Sequence, residues 1–204
     1  MKILLILPAA LLLYSCGMGM FSEVTCRDFT QTDDLRFFAG NEGDSTVFRS
    51  GEKRKRFFLE KKFIFHRTKY ISDTGCGCLD RWGSFFTNET DTISIYSDER
   101  YVYNNTANRT EELQMFIDGK MSGFITEDAR ILENFELEGK IFGKVRVLEY
   151  LHADPLQFRR VHVAHDYGII RMERVNGEVW INEDLTDTRP TDRSTFDYQE
   201  TTCQ

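Results

Sequence analysis

Proline is scarce in this chain, 3 in 204 residues, and histidine and tryptophan are nearly as thin, at 4 and 2. So little proline, beside 41% hydrophobic and 13% aromatic residues, excludes a disordered or proline-rich linker chain. Cations are outnumbered, 26 Lys and Arg against 33 Asp and Glu, for a net charge of −7. That balance opposes nucleic acid as a partner, because such binding rests on neutralising phosphates. It equally opposes electrostatic attachment to anionic lipid. No P-loop, dinucleotide fingerprint or G-x-S-x-G elbow occurs, and serines beside glycines, such as Ser84 and Ser122, sit in turn-like settings. With 33 carboxylates, any acid–base pair, Asp91 with Glu149 for example, is arbitrary. No catalytic residue, no cofactor and no metal are expected.

The chain opens with one cation, Lys2, then an apolar run from Ile3 to Leu13 interrupted by Pro8, then small residues. That is the three-part layout of a secretory signal, and the run falls short of the roughly 20 apolar residues a membrane span needs. Leu13-Tyr14-Ser15-Cys16 then resembles the lipobox of bacterial lipoproteins. The resemblance covers only the first 16 residues. It implies cleavage before Cys16 and a thioether-linked diacylglycerol on its sulfur, usually with acylation of the new amino group. Gly17 follows where an aspartate retains some lipoproteins at the inner membrane, so the resemblance implies the outer membrane. The alternative is cleavage near Gly17 or Gly19 and release as a soluble secreted protein.

Five cysteines are an odd number, which in an exported chain flags one with a separate task. Lipid on Cys16 leaves Cys26, Cys76, Cys78 and Cys203 as disulfide candidates, with three connectivities open. Losing Lys2 with the leader leaves 25 cations against 33 anions, so the exported form is still more acidic and a covalent anchor makes physical sense.

From Thr46 onward apolar residues recur at strand spacing. Phe57, Leu59, Phe63 and Phe65 share one parity with Lys61, while Glu60, Lys62 and His66 share the other. Ile93 and Ile95, then Leu113, Met115 and Ile117, then Val145 and Val147, then Val161 and Val163 continue the alternation. Asp118-Gly119 and Glu138-Gly139-Lys140 read as turns. Asn176-Gly177, between Ile169–Val175 and Glu178–Ile181, predicts a hairpin through a type I′ turn. Helix is predicted only around Thr126–Leu132 and, briefly, from Asp33 to Phe38. The spacing predicts a mainly β domain of eight to ten strands: an antiparallel sandwich or strongly curved open half-barrel with one or two short helices. Val161 to Ile181, with its Tyr167-Gly168-Ile169 strand, Asn176-Gly177-Glu178 and Trp180, is loosely similar to a terminal hairpin of small β-rich Bacteroidota lipoproteins.

The expected organisation is a signal peptide over 1–15, a lipidated tether over 16–25, a β domain over 26–185 and a polar, irregular tail over 186–204. Lys53-Arg54-Lys55-Arg56 reads as a solvated hairpin end. Cys76-Gly77-Cys78 reads as a structural disulfide loop, since a redox pair is usually C-x-x-C in an α/β setting. A metal set from Cys76, Cys78, His162 and His165 is opposed by parity, which sends the two histidines to opposite faces; His162 is expected to be partly exposed. The functional expectation is a membrane-anchored envelope lipoprotein, non-catalytic, either structural or binding a partner protein or envelope polymer. The alternatives are a carrier of an apolar ligand and an envelope hydrolase using carboxylates.

Overall fold

The computed structural model describes residues 23–25, 29, 32–67, 69–71, 78–102, 106–127, 129–149, 158–186, 188–189, 191 and 193–201. Cys16, Cys26, Cys76 and Cys203 lie outside these, as do residues 1–22, where the leader was expected. The strands are β1 (Glu23–Thr25), β2 (Ser45–Ser50), β3 (Lys53–Arg67), β4 (Lys69–Ile71), β5 (Cys78–Thr87), β6 (Thr92–Val102) and β7 (Thr106–Ile117). They continue with β8 (Lys120–Glu127), β9 (Arg130–Leu137), β10 (Lys140–Glu149), β11 (Phe158–Ala164), β12 (Gly168–Arg174), β13 (Val179–Asn182) and β14 (Asp197–Thr201). Helix among the described residues amounts to one turn, α1 (Thr32–Leu35), and a 3-10 turn at Arg193–Thr195.

Eleven strands hydrogen-bond in the order β8-β7-β6-β5-β3-β2-β13-β12-β11-β10-β9, and β14 adds to β3 in parallel. β1 and β4 form a separate small pair. The chain runs outward from β2 to β8 along one wing, then returns from the far edge, β9, to β13. Ten strand steps would separate the two edges of a flat sheet by about 48 Å. Only two residues join Glu127 to Arg130, and so short a link spans about 10 Å at most. The sheet therefore curls until its edges approach, and β8 lies near β10. β8 and β9 do not pair, so the roll stays open.

Among the described residues the inner face is lined by packed apolar side chains. Phe48, Phe57, Ile64, Trp82, Ile93 and Met115 from one wing meet Leu148, Val161, Met172 and Trp180 from the other, all buried in one cluster. Leu35 at the end of α1, Phe37 and Phe38 just after it, and Phe196 before β14 join it. A second cluster, built around Leu137, Phe142, Val145, Val147 and Ala164 with Leu185, covers the opposite face of β10 and β11. That is why both parities of β10 from Val145 to Leu148 are buried.

Several expectations need correction. The described part of Thr126–Leu132 is not helical: it carries the end of β8 and the start of β9. A weak helix propensity loses where each half has a strand to pair with. The tail is not irregular throughout, because Asp197–Thr201 pairs with Phe63–Arg67. The type I′ turns fall at Asp118-Gly119 (φ 55° and 70°) and Glu138-Gly139 (φ 50° and 79°). The β12–β13 hairpin forms as expected, but only Gly177 has positive φ, and its longer loop closes with Arg174 N–H donating to Glu178 O at 2.9 Å. The run Lys53–Arg56 does sit at a hairpin end, with Lys53, Arg54 and Arg56 exposed beside the β2–β3 turn as expected, and Lys53, Arg54 and Lys55 also have partners. They pair with Glu178, with Glu183, and with Asp91 and Asp118.

The most consequential correction concerns β3. Its pairing with β5 slips between Leu59 and Lys61. That β-bulge exchanges the faces of every residue beyond it. Phe57 and Leu59 point inward, but after the bulge it is Lys62, Ile64 and His66 that are buried. Lys61, Phe63 and Phe65 turn outward.

Candidate functional site

Two constellations follow from the bulge, one inside the roll and one outside. Inside, His66 on β3 faces its register partner Asp80 on β5, with Nδ1 and Oδ1 2.5 Å apart and both side chains buried. Glu99 on β6 is the next residue in that row and is also buried. Arg146 reaches in from β10, donating to Ser97 Oγ at 3.2 Å and to Asp34 Oδ1 at 2.6 Å. Its guanidinium lies 4.0 Å from the centre of the Phe37 ring. Lys62, fully buried, donates to Gly40 O and Thr195 Oγ1, each at 2.6 Å, and sits 4.7 Å over Phe196.

These groups hold the ends of the roll shut. The pair Arg146–Asp34 ties α1 to the inner face, and Lys62 ties down the segment before β14. Ser97 meets a guanidinium, which stays protonated and takes no proton from a hydroxyl, so this contact does not make it a nucleophile. A buried charge that loses its partner is strongly destabilising, which suits a structural role.

Outside, the bulge creates a groove of about 500 Å³ along β3, β5 and β14. Lys61, Phe63, Phe65, Leu79, Arg81 and Gln199 line it. Beneath it Tyr96 and Asp98 are buried on the outward side of β6. Arg81 forks onto Asp98, with Nε–Oδ1 and Nη2–Oδ2 distances of 2.5 and 2.7 Å. The same guanidinium stacks 4.7 Å above Tyr96. Lys61 reaches Asp197 on β14 at 2.5 Å, and that hydrogen bond holds the Asp197 carboxyl below its ordinary pKa. Tyr96 can lie this low because its register partner is Gly83. A Cβ on Gly83 would stand 2.5 Å from Tyr96 Cβ and 2.4 Å from Ile95 O.

The groove has aromatic walls and charged rims. It forms where β3 changes partner: β2 pairs as far as Phe58, and β14 takes over at Phe63. None of its residues was singled out as a site from sequence. The available signal was Glu60-Lys61-Lys62, three charged residues that strict alternation would leave with one on the apolar face.

Of the residues that were singled out, Cys78 opens β5, buried, and is not a free thiol; its three candidate partners lie outside the described residues. Asp91 and Glu149 are engaged separately, Asp91 by Lys55 and Glu149 by Arg160. His162 is buried rather than partly exposed. It packs against Phe135, ring centres 5.1 Å apart. Burial, aided by Arg171, Arg160 and Arg130, lowers its pKa to about 4. His165 lies in the turn after β11, edge-on to Phe37 at 4.1 Å, and burial lowers its pKa too. Among the described residues no three His, Cys, Asp or Glu side chains converge as a metal site.

No family model, curated protein or solved structure matches the chain. Its class therefore rests on its own geometry: an antiparallel β roll, curled to near closure, with a packed interior and a groove on its outer surface.

Proposed function

We propose that this is an exported lipoprotein, anchored at the outer membrane through Cys16, whose β roll binds a partner protein through the groove beside β14. The groove itself carries the binding half of this reading. Phe63, Phe65 and Leu79 offer apolar contact, while Arg81 and Lys61 set polar ends, the mixture that anchors protein interfaces. β14 adds a second element, since no strand among the described residues pairs with its other edge. An extended segment of the partner lies along it and places side chains in the groove. The packed inner face favours this reading over a lipid carrier, for which an empty apolar interior is needed. The engaged interior charges favour it over a hydrolase.

The anchoring half rests on the leader, on Leu13-Tyr14-Ser15-Cys16, and on the even set of cysteines that remains. Two disulfides among Cys26, Cys76, Cys78 and Cys203 complete the proposal. Intact mass of membrane-extracted protein, before and after reduction, reads acylation and disulfide number together. Cys16→Ser releases the protein from membranes; a variant that still pelleted with them would overturn the anchor. A photo-crosslinking residue at position 63 or 79 captures one discrete partner in intact cells, and Arg81→Glu abolishes the capture. Labelling that is diffuse, or indifferent to Arg81→Glu, would overturn the groove as the binding site.

A further inference from the structure

The outer face of the opposite wing carries a line of arginines that crosses the strands. Register places Arg130 beside Val147, then His162, Arg171, Ile181, Arg49 and Arg54, one residue per strand from β9 to β3. Six strand steps make the line about 29 Å long. Arg130 to Arg171 is about 14 Å, Arg171 to Arg49 about 10 Å, and Arg49 to Arg54 about 5 Å at the same spacing.

Carboxylates flank the line and partly neutralise it. Glu173 takes Arg171 at 3.0 Å and Arg160 at 3.3 Å, and Glu149 also pairs with Arg160. Glu138 meets Arg49, and Glu183 meets Arg54 at 2.8 Å. Arg130 is exposed and enters no ion pair among the described residues. At the centre His162 is 3% exposed, and its Nδ1 has no hydrogen-bond partner. Nε of Arg160 and of Arg171 are likewise buried and unmatched. The unpaired guanidinium of Arg130 and the excess of arginine over glutamate along this face, on a protein of net charge −7, together mark a place where anionic charge is missing.

We infer that this line is the binding track for a linear, sparsely charged polyanion, an acidic polysaccharide bearing carboxylates. A single small anion spans too little of the line. Nucleic acid is too dense: a duplex carries one charge per ≈1.7 Å, which would press phosphates against Glu149, Glu173, Glu138 and Glu183. A sugar chain with well-spaced carboxylates meets Arg130, Arg171 and Arg49 and passes between the glutamates. The positive field of Arg171, Arg160 and Arg130 at His162 agrees with this geometry. The inference stands on residues separate from the groove, so either reading survives failure of the other.

The test uses the full chain in mild detergent, with an oligogalacturonate as probe. Monomeric galacturonic acid and a single-stranded RNA oligomer of similar length form the other two arms. The oligogalacturonate binds, and its affinity falls as salt rises; monomer and RNA bind at least tenfold more weakly. Arg130→Glu, at an exposed position, with Arg49→Glu, at a half-exposed one, weakens the oligomer at least tenfold and lowers the salt slope, while the thermal unfolding midpoint stays within a few degrees. Absence of oligogalacturonate binding at low salt would overturn the inference. Equal affinity in the double variant, or RNA binding as tightly as the sugar, would do so as well.

Discussion

Single residues decide two properties of this roll. Gly83 is one, because its missing Cβ leaves the space that Tyr96 occupies beneath Arg81. Gly83→Ala should cost about 1–3 kcal/mol, the usual range for overpacking, and should show as a lower midpoint in urea unfolding. His162 is the other. Its pKa falls from 6.5 to about 4 because burial penalises the imidazolium, with three arginines adding to the effect. The unfolded chain thus binds a proton on this histidine that the folded chain refuses. Stability from the neutral ring is present above about pH 6.5 and drains away as pH falls toward 4, by about 3 kcal/mol in total. His162→Leu should flatten unfolding free energy between pH 4.5 and 6.5. A slope unchanged in the variant would mean that other groups, His165 foremost, carry it.

At the scale of elements, the bulge in β3 matters most. Alternation in Phe57–Phe65 was legible in the sequence and places a strand there, as observed. The face was misread beyond Leu59, because a one-residue slip leaves composition and local propensity unchanged and alters only which neighbour each residue meets. Deleting Glu60 removes the extra residue, so that Lys61 follows Leu59 in plain alternation opposite Phe85 and Phe86. It should leave Phe63 and Phe65 outward and Lys62 inward, as they are now. The expected result is a roll that still unfolds cooperatively and still captures a partner through position 63; loss of both would mean that the bulge itself, beyond the faces it sets, is required. Hairpins tell the opposite story. Asp118-Gly119 and Glu138-Gly139 were readable because positive φ is a local demand with a local signature. The candidate site was not readable: Arg81, Tyr96 and Asp98 become a cluster only through pairing of β5 with β6.

Across the whole molecule, the two-residue link between β8 and β9 forces the sheet to curl, and Leu35, Phe37, Phe38 and Phe196, from segments flanking the sheet, pack into the resulting roll. The segment from Arg193 to Thr201 belongs to the fold, supplying Thr195 and Phe196 to Lys62 and β14 to β3. Truncation before Arg193 should leave Lys62 buried with fewer partners and cost several kcal/mol, since an under-compensated internal charge is among the costliest defects. Circular dichroism would show a lower melting midpoint; Lys62→Met in the truncated chain should recover part of the loss. An unchanged midpoint would mean that the tail is dispensable.

By itself the sequence determined what depends on neighbours along the chain. That covers the predominance of strand, the two tight turns and the absence of recognisable catalytic motifs. Tertiary structure alone decided the curl, the faces of β3 beyond the bulge, the capture of the tail and the line of arginines from Arg130 to Arg54. Each of these depends on which strands lie side by side, and strand order and register arise from pairings between residues far apart in the chain.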